Sequence, residues 1–175
     1  FEVPPGADPD CGYLVVPEDR ARADSPLLRL HVAIFHSRSE NLSPDPVLYL
    51  SGGPGSSALE LTAYLFRQGL DGFLDTRDWI VFDQRGTGYS QPALTCPERD
   101  AVTPRLLTER LSPAERETLI VEAFQRCRER LTAQGVELGF YNSVAIAADV
   151  EDLRQVLGYE QFNLYAVSYG TRLAL

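Results

Sequence analysis

The sequence predicts an α/β fold: a mainly parallel sheet flanked by helices, led by two antiparallel strands. Three observations carry that prediction. Val47-Leu48-Tyr49-Leu50 and Trp79-Ile80-Val81-Phe82 are short, continuously apolar runs, the pattern of strands buried on both faces of a parallel sheet. Each runs into a glycine-containing turn, with helical periodicity between them, so strand, helix and strand form a right-handed parallel crossover. Phe162 to Leu175, FNLYAVSYGTRLAL, then reads as strand, sharp polar turn and resumed helix.

The elements follow in order. Cys11–Pro17 and Leu28–Ser37 read as two strands joined by the charged, proline-containing connection 18–26, a hairpin-like pair. Leu59–Leu70 reads as the first crossover helix, with Leu61, Leu65 and either Tyr64 or Phe66 facing inward and Gly69 and Gly72 near its end. Residues 91–108, with Pro92, Pro97 and Pro104, are expected to form an irregular link. Ser112-Pro113-Ala114-Glu115 has every part of a helix start: a capping serine, proline at the first position and glutamate three after the cap. From there Leu119, Ile120, Ala123, Phe124, Cys127 and Leu131 recur at helical spacing. Asn142 or Ser143 caps another helix with a stripe of Ile146, Val150, Leu153 and Leu157, ended by Gly158. Asp149, Glu151 and Asp152 stand off that stripe and read as solvated surface.

Composition narrows the function classes. The 175 residues are 44% hydrophobic and 23% charged, within the range of one globular domain. A net charge of -9 speaks against nucleic acid as a partner, and no uncharged apolar run is long enough to span a membrane. Every basic residue is arginine, which excludes lysine Schiff bases and the phosphate-loop lysine. The two histidines, His31 and His36, fall on opposite faces of one predicted strand, and no cysteines have C-x-x-C spacing, so neither a metal site nor a cofactor is expected. Of the three cysteines, Cys96 and Cys127 are the possible disulfide, with a buried free thiol at Cys127 as the alternative. Methionine is absent, so Phe1 is not an initiator: either a leader has been removed or the sequence starts late. An extracytoplasmic or secreted location is expected, with the cytoplasm left open.

The chemistry gathers at Ser168. A serine at the apex of a strand-turn-helix has its hydroxyl pushed clear of the sheet, while the following backbone N–H, here that of Tyr169, points at whatever the hydroxyl attacks. The usual pattern is G-x-S-x-G; here Ala166-Val167-Ser168-Tyr169-Gly170 keeps the second glycine and replaces the first with the smallest side chain. Ser51-Gly52-Gly53-Pro54-Gly55 matches no phosphate loop. It suits a second oxyanion donor, from Gly52 or Gly53. Asp83-Gln84-Arg85-Gly86 reads as a turn held by an Asp83/Arg85 network beside the site, structural in role.

Three segments, SGGPGSSA from Ser51, DQRGTGYSQPAL from Asp83 and YNSVAIAADVEDLRQVLGYEQFNLYAVSYGTRLAL from Tyr141, resemble the α/β-hydrolase serine exopeptidases of the prolyl aminopeptidase and tripeptidyl aminopeptidase type. CGYLVVPEDR at Cys11 to Arg20 is similar to the tripeptidyl branch. The resemblance implies an α/β-hydrolase fold, here its N-terminal part ending just after the nucleophile elbow. Ser168 would be the nucleophile, and Tyr169 and Gly52 or Gly53 the oxyanion donors. Ser51 stands where the prolyl type often has histidine. The implied activity is release of residues from peptide N-termini through an acyl-enzyme, with an esterase of the same fold as alternative substrate class. In hydrolases of this order the acid and histidine follow the nucleophile, and seven residues follow Ser168 here. The expectation is therefore that residues 1–175 are the N-terminal portion of a catalytic domain whose remaining strands come from the same or a second chain. Alone they would be inactive, or a non-catalytic half.

Overall fold

A computed structural model describes residues 1–175. It divides into two compact units, Phe1–Ala93 with Gly139–Leu175, and Leu94–Leu138.

The first unit is built on a five-stranded sheet of β1 (Asp10–Pro17), β2 (Leu27–Phe35), β3 (Val47–Leu50), β4 (Trp79–Phe82) and β5 (Asn163–Ala166), in the order β1-β2-β4-β3-β5. β1 and β2 form an antiparallel hairpin, β2 also lies antiparallel to β4, and β4, β3 and β5 run parallel. The apolar continuity of β3 and β4 has a direct cause: alternate residues feed two different cores. Leu48, Leu50, Ile80 and Phe82 join Leu14, Val16, Leu28, Leu30 and Leu153 on one face. Tyr49, Trp79 and Val81 join Phe35, Ala58, Leu59 and Leu74 on the other. Trp79, fully buried, packs its ring 5.5 Å from Phe73 and 5.6 Å from Phe66; truncating such a side chain costs about 3–5 kcal/mol.

Helix α1 spans Ala58–Arg67 rather than 59–70, because Gly69 turns left-handed and a 3-10 turn follows at Leu70–Asp75. Its buried face is Ala58, Leu59, Thr62 and Ala63, with Leu65 and Phe66 packed beside it, whereas Leu61 and Tyr64 are exposed. The small residues let the helix lie close to the sheet, a signal invisible when only large side chains are followed.

In the second unit, helix α2 (Pro97–Thr108) occupies what reads in sequence as an irregular link. Pro97 sits at the start, where its missing N–H costs nothing. Pro104 falls inside the helix, flanked by Val102 and Leu106, and burial of those two against Ala123, Leu119 and Ile120 of α3 (Pro113–Ala133) overrides the local penalty. Helix α3 begins with a complete Ser112/Glu115 capping box; Phe124, placed on its apolar stripe by spacing, lies half exposed at the stripe's margin. Cys96 and Cys127 are joined in a disulfide at a Cα separation of 5.3 Å, and Arg130 pairs with Glu98 beside it. Cys11 is free and exposed.

The chain returns to the first unit in α4 (Ser143–Val156), capped by Asn142, and after β5 ends in the single turn α5 (Gly170–Leu173). No helix is long and apolar enough to cross a membrane.

Candidate functional site

The site lies at the carboxyl edge of the parallel strands, where β5 gives way to α5. Leu50 of β3 is level with Ala166, and the next peptide continues the ladder, Val167 N–H donating to the Leu50 carbonyl at 3.1 Å. Then the backbone reverses. Ser168 has φ 53°, the chain's one non-glycine residue with positive φ. That conformation brings Cβ against the carbonyl and costs on the order of 1–2 kcal/mol, so it persists only where surroundings enforce it. Gly170 N–H donates to the Val167 carbonyl, and the Thr171 N–H and hydroxyl both donate to that of Ser168. Gly170 is compulsory: a Cβ there would stand 2.1 Å from the Leu50 oxygen. Ala166, in the place of the first glycine, packs half-buried at the margin of the core. The Ser168 residue is exposed, and the neighbouring Tyr169 hydroxyl hydrogen-bonds to Ser143 Oγ at 2.8 Å, tying the turn to the start of α4.

The glycine-rich loop after β3 closes on this turn. A Cβ on Gly52 would lie 2.8 Å from Ser168 Cβ and 3.3 Å from its Oγ, so only glycine brings this backbone so near the hydroxyl. Gly53, with φ 110°, faces Gly55 and Ser56 of its own loop. The backbone hydrogen bonds here are made by Val167, Gly170, Thr171, Arg172 and Ser56; the N–H groups of Tyr169, Gly52 and Gly53 are outside that set. Ser51, at the head of this loop, is buried.

The loop after β4 differs from the expected Asp83/Arg85 network, since the two side chains have separate partners. Asp83 is fully buried and accepts hydrogen bonds from Ser57 Oγ, the Ala58 and Leu59 N–H groups and Tyr89 N–H. It caps α1 together with Ser57. Arg85 forks onto Asp149 of α4, Nε to Oδ2 and Nη2 to Oδ1, both at 2.7 Å, and donates to the Glu18 and Phe140 carbonyls. Asp149, expected on a solvated face, is thus a buried carboxylate in an ion-pair group with Arg85, Arg20 and Asp152. A helical wheel places Asp149 beside the stripe but cannot supply Arg85, which is distant in sequence. Ser57 did leave a signal: Ser57-Ala58-Leu59-Glu60 has the S-x-x-E spacing of a helix start.

Neither histidine reaches Ser168. His31 on β2 is level with Asp83, one residue past β4, and β2 and β5 are three strand spacings apart, about 14 Å at the usual inter-strand distance. His31 stacks on Tyr13 at 4.9 Å and meets Phe1 and Tyr89 edge-on; burial there lowers its pKa. His36 lies just past β2 at the opposite edge of the parallel strands, exposed, with Nε2 2.8 Å from Asp10. That hydrogen bond raises its pKa, as Asp78 does to a lesser degree.

Comparison with known proteins adds to this geometry. A family model described as alpha/beta hydrolase fold matches residues 45–175. Tripeptidyl aminopeptidase of Streptomyces lividans is 30% identical over 171 residues, 93% of this chain and 31% of that protein. Serine protease Hip1 of Mycobacterium tuberculosis is 29% identical over 169 residues, 93% of this chain and 32% of Hip1. The crystal structure of proline iminopeptidase from Mycobacterium smegmatis superposes with a TM-score of 0.51 at 16% identity, over 92% of this chain and 37% of that one, a likeness of fold. The chain spans about a third of the length of the curated relatives it matches.

Proposed function

The chain belongs to the α/β-hydrolase fold family, and from that premise we propose that it carries the nucleophile and oxyanion hole of a serine peptidase acting on peptide N-termini. The observation that carries the reading is the left-handed Ser168 at a strand-to-helix turn, with the Gly52 backbone packed against it. Ser168 Oγ attacks the scissile carbonyl, the tetrahedral oxyanion is held by the N–H groups of Tyr169 and of Gly52 or Gly53, and the amine departs to leave an ester on Ser168 that water hydrolyses. The proton of Ser168 passes to a histidine outside residues 1–175, because His31 and His36 are placed elsewhere in the sheet. In this reading residues 1–175 are the N-terminal portion of a catalytic domain, completed by further strands that cover β5. The Cys96–Cys127 disulfide supports an extracytoplasmic location, where such bonds persist.

The names of the relatives favour peptide over ester substrates. Elbow and oxyanion loop serve both chemistries, so the test is a comparison of rates. Full-length protein is assayed against aminoacyl and tripeptidyl amides beside short acyl esters. Turnover of the amides, lost in Ser168→Ala, is expected; turnover of esters alone would reject the peptidase reading in favour of an esterase.

A further inference from the structure

We propose that Asp83 and Gln84 are the positioning residues of the oxyanion loop, holding its two ends so that the Gly52 peptide keeps its place beside Ser168. The inference rests on the reading of Ser168 as nucleophile. It deepens that reading by assigning roles to two buried polar side chains that the chemistry itself does not use.

The loop from Ser51 to Ser57 has little of its own to hold it: its one internal backbone bond is a long one, Ser56 N–H to the Gly52 carbonyl at 3.4 Å. Both ends are gripped from the loop after β4. At the near end Gln84, almost fully buried, donates from Nε2 to the Ser51 carbonyl at 3.0 Å, one residue before Gly52. At the far end Asp83 Oδ1 accepts from Ser57 Oγ at 3.0 Å, Ala58 N–H at 2.7 Å and Leu59 N–H at 3.2 Å. Its other oxygen takes Tyr89 N–H at 2.8 Å, which closes the 83–89 loop upon itself. The clamp is in turn fixed to the sheet, since Ser90 Oγ donates to the Asp83 carbonyl and Asp83 N–H to the His31 carbonyl. A carboxylate can only accept, and all its partners here are donors. Asp83→Asn would therefore turn an amide N–H toward other donors and push the loop off. Oxyanion donors act only while pre-organised, and a shift of about 1 Å is enough to cost on the order of 10²-fold in rate.

The test uses full-length protein and three quantities: kcat and KM for a tripeptidyl amide, and inhibition by a tripeptidyl boronate, whose adduct on serine places an oxygen in the oxyanion hole. Asp83→Asn and Gln84→Met are each expected to lower kcat about 10- to 100-fold with KM within about twofold, and boronate affinity should fall in proportion to kcat/KM. Should Asp83→Asn not fold, Gln84→Met decides alone, because it removes one donor and keeps the side-chain volume. A folded Gln84→Met enzyme with unchanged kcat would overturn the proposal, as would a loss carried by KM, or boronate affinity untouched while kcat falls. Failure of the wild-type protein to turn over the amide or be inhibited at Ser168 would instead defeat the underlying functional reading.

Discussion

The two segments that meet at Ser168 are held by different means. The glycine-rich loop after β3 is gripped by buried polar side chains, Gln84 at one end and Asp83 at the other. The turn at Ser168 adds a steric fit to its local hydrogen bonds: Gly170 fits against the Leu50 carbonyl with no room for a methyl, Ser168 is bent to φ 53°, and one ladder bond joins Val167 to Leu50. Hydrogen bonds can be weakened singly and yield graded losses, while a steric fit admits little between intact and displaced. Perturbing the loop should tune the site, and perturbing the elbow should break it.

The largest expected effect falls on the buried ion pair of Arg85, the residue that follows the Asp83/Gln84 grip in sequence. Arg85→Met leaves Asp149 buried with only Arg20 beside it, and breaking a buried pair from one partner costs about 3–5 kcal/mol. Urea denaturation of the full-length protein measures this, and the double variant Arg85→Met/Asp149→Leu should regain much of the loss.

Gly170→Ala comes next and tests the steric side directly. Its methyl must displace the start of α5 or the end of β3, at about 3 kcal/mol, and activity of the full-length protein should collapse with it. A Gly170→Ala enzyme of near-normal activity would erase the contrast between the two segments.

Ser57→Ala should be milder. It removes the Ser57 share of the α1 cap and one of the donors to Asp83 but leaves the three backbone N–H bonds from Ala58, Leu59 and Tyr89, for a loss of about 1 kcal/mol seen as a small fall in denaturation midpoint.

The smallest effect is a control at the far edge. The folded-state pKa of His36 is raised above its unfolded value by Asp10 and Asp78, so its contribution is complete below pH 6.5 and lost as pH rises through the folded value. Solvent screening at a half-exposed pair keeps this to a few tenths of a kcal/mol. Thermal midpoints between pH 5 and pH 8 should show it in wild type and not in His36→Asn, with kcat unchanged.

Much of this arrangement was legible in the residues, and the illegible parts share a cause. Strands β3 and β4 and the turn at Ser168 declare themselves because local pattern and tertiary role agree. Helix α2 was hidden because Pro97 and Pro104 signal a break locally, while Val102 and Leu106 are rewarded only by burial against α3. Asp149 looked like surface because nothing near it in sequence reveals Arg85, and the Asp83/Arg85 pairing suggested by adjacency gave way to partners supplied by α1 and α4. Between Gly52 and Gly53 the sequence had no preference; contact with Ser168 singles out Gly52 as the neighbour.

Covalent labelling of the full-length protein with a fluorophosphonate, followed by peptide mapping, tests the role of Ser168 most directly. A single adduct on Ser168 is expected, formed at a rate that falls in Gln84→Met and is abolished in Ser168→Ala. An adduct on any other residue, or active full-length protein that takes no label at Ser168, would contradict it.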